Sequence, residues 1–202
     1  ADLAYKVLNL YRKVTGKNNG KVTVSVSSFV PKAHSAFQWA PQCSIEEIER
    51  KQQYIKGLIR DKHISYHYHD ARTGRMEAAF ARGDRRLGKV LYYAWKKGCK
   101  FDGWTEMFDY DKWNDSFAET GLEVDYFASR QRGEQEPFPW DHMSAGVAKA
   151  YLLNEWKKAH DEELTDDCRR KRCTGCGVCP NLGVHIIDLK AGDGSGKTTF
   201  SY

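Results

Sequence analysis

The chain has 202 residues, 41% apolar and 13% aromatic, which is too many for a disordered polypeptide and enough to bury a core in one large domain or two small ones. With 29% charged residues, a mean hydropathy of −0.70 and no apolar run near the roughly 18 residues a bilayer crossing needs, the sequence offers no membrane-spanning helix. Lys and Arg number 32 against 27 Asp and Glu, and the resulting +5 is too mild to establish a nucleic-acid partner.

Ala1 stands where an initiator Met would, and Leu3, Val7, Leu10 and Val14 follow at helical spacing with little room for a cap. The sequence therefore reads as a piece of a longer protein, whose N-terminal part is its first partner. Nothing in it looks like a secretory leader, and a cytoplasmic location is expected. Lys21 to Val30 alternates Val22, Val24 and Val26 with Thr23, Ser25 and Ser27. Two strands fit this pattern: one in a parallel barrel, with the Val row on outer helices and the hydroxyl row leaving space for a ligand, or a half-exposed antiparallel strand. After Pro41, Ser44 and Glu47 form a capping box for a helix running through Ile48 and Ile55 to Ile59.

His63 to Asp70 is a second strand, with Ile64, Tyr66 and Tyr68 on one face and His63, Ser65, His67 and His69 on the other. Proton transfer or substrate contact is a better use of these imidazoles than metal ligation. Helical sequence follows over Met76 to Ala81, then from Asp84 as N-cap through Leu87, Val90, Leu91, Ala94 and Trp95 to a stop at Gly98. Phe101, Trp104, Phe108, Tyr110, Trp113 and Phe117 are read as core rather than as an RNA-stacking surface. Pro137, Phe138, Pro139 and Trp140 mark an ordered loop before an amphipathic helix with Val147, Tyr151 and Trp156 that reaches His160. Val184 to Leu189 and Thr198 to Tyr202 read as a closing hairpin. The stretch Ala191 to Thr198 resembles a phosphate-binding loop but lacks a following helix, so it is read as a turn.

Cys43 and Cys99 stand alone, whereas Cys168, Cys173, Cys176 and Cys179 fall within twelve positions. Cysteines two residues apart are poorly placed for structural bridges, so metal explains the cluster better than disulfides do. The run CTGCGVCP chains two CxxC steps ahead of a Pro and resembles ferredoxin-type binding, which points to a [4Fe-4S] cluster on the four thiolates. Gly183 stands where a ferredoxin run would place its next Cys, and structural Zn is the alternative. Gly175 and Gly177 would let backbone amides approach the sulfurs. The Arg169 to Arg172 run either offsets the negative charge of a thiolate-bound metal or is a solvated face.

The stretches VSVSSFVPKAHSAFQWA, HDARTGRMEAAFARGDRRLGKVLYYAWKKGCKFDGWTEMF, PFPWDHMSAGV and DCRRKRCTGCGVC together resemble the C-terminal half of radical SAM proteins that carry an N-terminal cobalamin-binding-like domain. The resemblance runs from about Lys21 to Cys179. It implies an α/β fold in which residues 1–70 are the C-terminal part of a partial (β/α) radical SAM barrel, ending in the strands Lys21 to Val30 and His63 to Tyr68. A mainly helical extension over 71–160 and a four-cysteine metal-binding segment with a short β-hairpin over 161–202 would follow. In such proteins an iron-sulfur cluster reduces S-adenosyl-L-methionine (SAM), releasing a 5′-deoxyadenosyl radical that takes hydrogen from the substrate.

The CxxxCxxC motif that holds the SAM-cleaving cluster is absent, so this segment alone is not expected to cleave SAM. Functional groups gather at C-terminal strand ends in barrels of this kind. The resemblance therefore implies that Ser28, Phe29 and Val30 border the adenosine, that Lys32 and His34 meet substrate, and that His69, oriented by Asp70, moves a proton. It also implies an ion-pair network of Arg82, Asp84, Arg85 and Arg86 between helix and barrel. It names no substrate, RNA being one candidate, and leaves cobalamin use open. The alternative function is a zinc-stabilised module whose Arg169 to Arg172 run contacts nucleic-acid phosphates.

Overall fold

Val22–Val26 forms strand β1 and Ile64–Tyr68 forms β2, and the two pair in parallel with Val24 opposite Tyr66 and Ser25 opposite His67. The computed structural model describes residues 1–185. It divides into two compact units, one of Ala1–Pro31 with Ala40–Gln131, the other of Lys32–Trp39 with the residues from Arg132 on. The fold is mixed α/β and mostly helical, and among the described residues the two strands do not close into a barrel. The Ala191 to Thr198 loop and all but the first two residues of the expected hairpin lie outside the described residues. No helix among those described is long and apolar enough to cross a membrane.

In the first unit, helix α1 (Asp2–Thr15) lies against the strands through Ala4 and Leu8, which pack with Ile64, Val22, Val24 and Ile59. The apolar series read from the sequence faces the other way: Leu3, Val7, Leu10 and Val14 are exposed. Polar anchors set this rotation. The Tyr5 hydroxyl donates to Leu58 O at 3.2 Å and accepts the Arg60 amide at 2.8 Å, and Arg12 pairs with Asp61 at 3.1 Å. Helix α2 (Ile45–Leu58) starts as expected, with Ser44 Oγ accepting the Glu47 amide at 3.3 Å.

Four further helices, α3 (Ala71–Arg82), α4 (Leu87–Lys96), α5 (Tyr110–Glu119) and α6 (Val124–Ala128), share a core around Met76, Ala79, Val90, Trp113, Phe117 and Phe127. Trp113 and Phe117 are core as expected, but Phe101 and Trp104 are 71% and 64% exposed. No helix forms over 101–108 to turn that spacing inward, and Phe101 itself takes a left-handed φ of 58°. The expected arginine network also divides. Arg86 pairs locally with Asp84 at 2.7 Å, while Arg82, 1% exposed, donates to the carbonyls of Phe127 at 2.9 Å, of Arg130 at 2.6 Å and of Ala128. The Phe127 and Ala128 carbonyls are ones that the end of α6 leaves without helical partners, and the guanidinium fork helps to satisfy them, the Gln42 amide also donating to Ala128 O at 3.1 Å.

The second unit is built on Trp39, Phe138, Trp140 and Leu152. Among the described residues its helices are α7 (Lys149–His160) and α8 (Val178–Leu182). Gln38 Oε1 accepts the Trp140 indole proton at 2.8 Å, which ties the short 32–39 stretch to the Pro-flanked loop.

Candidate functional site

Because β1 and β2 are parallel, their C-terminal ends open on the same side, the position at which open α/β sheets place ligands. The ladder is extended there by the His69 amide donating to Val26 O at 3.1 Å. Gly74, in the first turn of α3, comes close to both strand ends. A Cβ at Gly74 would lie 3.5 Å from Ser28 Cβ, 3.8 Å from Ser28 Oγ and 3.7 Å from His69 Nδ1. The structure therefore brings Ser28 and His69 to one nook. Ser28 Oγ is closed off from solvent and has no hydrogen-bond partner, an uncompensated cost that a bound ligand would relieve.

A cavity of about 220 Å³ adjoins the nook, lined by Val26, Ser28, Phe29, Ile48, Gln52 and Ile55 among others. Gln52 is held across it by donating from Nε2 to His69 O at 2.8 Å. Of the residues expected at an adenosine, Ser28 and Phe29 line this cavity, whereas Val30 is buried in the helical core with Met76. Asp70 does not hold the His69 ring. Its Oδ1 accepts the Thr73 amide at 2.8 Å and the Thr73 hydroxyl at 3.0 Å, capping α3, which begins at the next residue. At the far end of the strand, His63 is held by Asp61 at 2.9 Å. Its position there keeps it away from the nook.

Lys32 and His34 belong to the second unit. The Lys32 carbonyl accepts the Ser35 hydroxyl at 2.8 Å, and His34 lines a cavity together with Asp141 and Lys149. Asp141 and Lys149 were missed in the sequence. The only signal there was the Pro-flanked aromatic loop just before them.

The cysteine segment is tied to the same unit by the Ala148 amide donating to Cys176 O at 2.9 Å, by Tyr151 to Thr174 at 3.2 Å, and by Asn181 to Gly146 O at 2.8 Å. The Gly175 amide donates to Cys173 Sγ at 3.4 Å, and Gly177 takes a φ of 89° as the chain turns from Cys176 into α8. The amide-to-sulfur bond and the left-handed glycine shape this turn, and a side chain would strain the second. All four cysteines are free thiols, and among the described residues no three His, Cys, Asp or Glu side chains stand close enough to hold an ion. In donor chemistry the segment fits a thiolate-bound centre. In the basic run, Arg169 pairs with Asp167 at 2.7 Å and Lys171 with Asp166 at 2.8 Å.

No protein-family model, curated protein or solved structure matches the chain.

Proposed function

We propose that this chain is the C-terminal part of a radical SAM enzyme, contributing one wall of the SAM and substrate cavity and an auxiliary [4Fe-4S] cluster. The observation that carries the reading is the parallel pair β1 and β2 with an unpartnered Ser28 hydroxyl where their C-terminal ends meet Gly74 and His69. A two-stranded parallel sheet is small to stand alone, and the exposed apolar stripe of α1 is what a helix packed in a larger barrel would carry.

In this reading Ser28 and Phe29 border the adenosine side of SAM, with Ile48 and Ile55 excluding water. Bound SAM, reduced by a cluster held elsewhere in the enzyme, supplies hydrogen-atom abstraction. In this reading His69 moves a proton beside Ser28, and Lys32 and His34 contact substrate. Cys168, Cys173, Cys176 and Cys179 are the ligands of the auxiliary cluster, and the Gly175 amide lowers the charge on Cys173.

Anaerobic reconstitution with iron and sulfide, followed by iron, sulfide and zinc analysis, tests the assignment. The reading predicts about four irons and four sulfides per chain, with a large loss in Cys176→Ser. One zinc and no iron after strictly anaerobic handling would contradict it and leave a zinc-held module.

A further inference from the structure

The second unit contains a cavity of about 430 Å³, large enough for a small organic molecule. His34 lines it from a backbone with φ 55°, a left-handed conformation unfavourable for a non-glycine residue and retained where surrounding structure or function requires it. Gln38, 2% exposed, gives its Oε1 to the Trp140 indole at 2.8 Å. Indole nitrogen only donates, so this bond fixes the orientation of the amide and leaves Nε2 as a donor.

Ser144 Oγ accepts the Gly146 amide at 3.2 Å and keeps its own proton to give. Lys149 Nζ spends two of its three protons, on Asp141 Oδ2 at 2.6 Å and on Glu136 O at 3.3 Å. Asp141 Oδ2 also takes the Phe138 amide at 2.8 Å. Burial would raise the Asp141 carboxyl, but Lys149, the Phe138 amide and the nearby His34 outweigh that effect and keep its pKa below the ordinary value.

The wall thus carries the Gln38 amide, the Ser144 hydroxyl and the Lys149 ammonium as donors, the last also lying over the Phe138 ring at 4.3 Å, beside the His34 ring and one carboxylate whose two bonds both fall on Oδ2. Val147 and Leu152 complete it with apolar surface. A guest rich in acceptors, with a modest carbon skeleton, is what such a wall can satisfy.

We propose that this cavity binds an oxyanion, the phosphate or carboxylate group of a small organic ligand, through His34, Gln38, Ser144 and Lys149. The proposal does not depend on radical chemistry or on the cysteine segment.

Titration of the full nitrogen-15-labelled chain with inorganic phosphate and, separately, with malonate at constant ionic strength tests it. The readouts are the His34 ring and the Trp140 indole resonances. Saturable shifts of both with phosphate alone, malonate alone or the two together support the proposal and identify the group. Ser144→Ala should weaken binding about tenfold, as expected for one hydrogen bond to a charged group, and Lys149→Gln by more. The Trp140 resonance of each free variant reports that the pocket remains folded. Absence of a saturable shift with either anion, or saturation undiminished in both folded variants, overturns the proposal.

Discussion

The strand-end nook and the cysteine segment are both candidate sites, yet the chain organises them to different degrees. Around Ser28 and His69 the geometry comes from regular structure: a parallel ladder and a capped helix whose Gly74 stands beside both residues. Around Cys168 to Cys179 a few backbone and hydroxyl bonds hold the loop, and the thiols remain uncollected. The contrast teaches that a pocket for an organic ligand can be prepared by packing alone. A thiolate site is completed by its metal, whose binding energy becomes folding energy.

The largest effect should come from breaking the packing that supports the nook. Arg82→Met would remove the guanidinium donors to the Phe127 and Arg130 carbonyls and one of the two donors to the Ala128 carbonyl, and should cost about 3 kcal/mol or more in urea unfolding. Loss below about 1 kcal/mol would show that the carbonyls find water instead. A somewhat smaller effect belongs to the cysteine segment. Metal-loaded protein should exceed Cys176→Ser in stability by about 2 kcal/mol, with the difference vanishing under chelation. A difference that survives chelation would assign the stability to packing.

The contrast is sharpened by Gly74→Ala, since its Cβ contacts of 3.5 to 3.8 Å are ordinary van der Waals distances. Removing a helical glycine should raise thermal stability by about 0.5–1 kcal/mol while filling the nook. Destabilisation would mean that Ser28 and His69 stand closer than described.

The smallest effect is a pH dependence at Asp141. Its folded pKa lies below the ordinary 3.8, so its stabilisation is present above that value and is lost as pH falls through the folded one. Asp141→Asn should flatten acid unfolding in that window alone, as followed by Trp140 fluorescence. Equal slopes in the two proteins would remove Asp141 from the acid response.

Local features were legible in the sequence. The N-cap at Ser44, the alternation in both strands and the stop at Gly98 need only neighbouring residues to form, while the Glu47 carboxylate expected to close a capping box pairs with Arg50 and Lys51 instead. The site roles of Ser28 and His69 came from the family resemblance, and the first strand ends at Val26, short of the expected Val30, which leaves Ser28 just beyond it. The rotation of α1 was not legible, because contacts from Tyr5 and Arg12 to residues near position 60 set it and the apolar stripe does not. Nor was the burial of Arg82, whose partners are backbone carbonyls that any sequence would supply. The cavity at His34 joins stretches linked by a bond between residues 102 positions apart, a separation no local pattern spans. The cysteines could be read as a donor set, but their convergence is not written in spacing alone.

X-ray absorption at the iron edge of the anaerobically reconstituted chain tests the central claim most directly. The account predicts a sulfur-only first shell with neighbouring iron atoms, lost in Cys176→Ser. Iron surrounded by oxygen and nitrogen, or a spectrum that the substitution leaves unchanged, would contradict it.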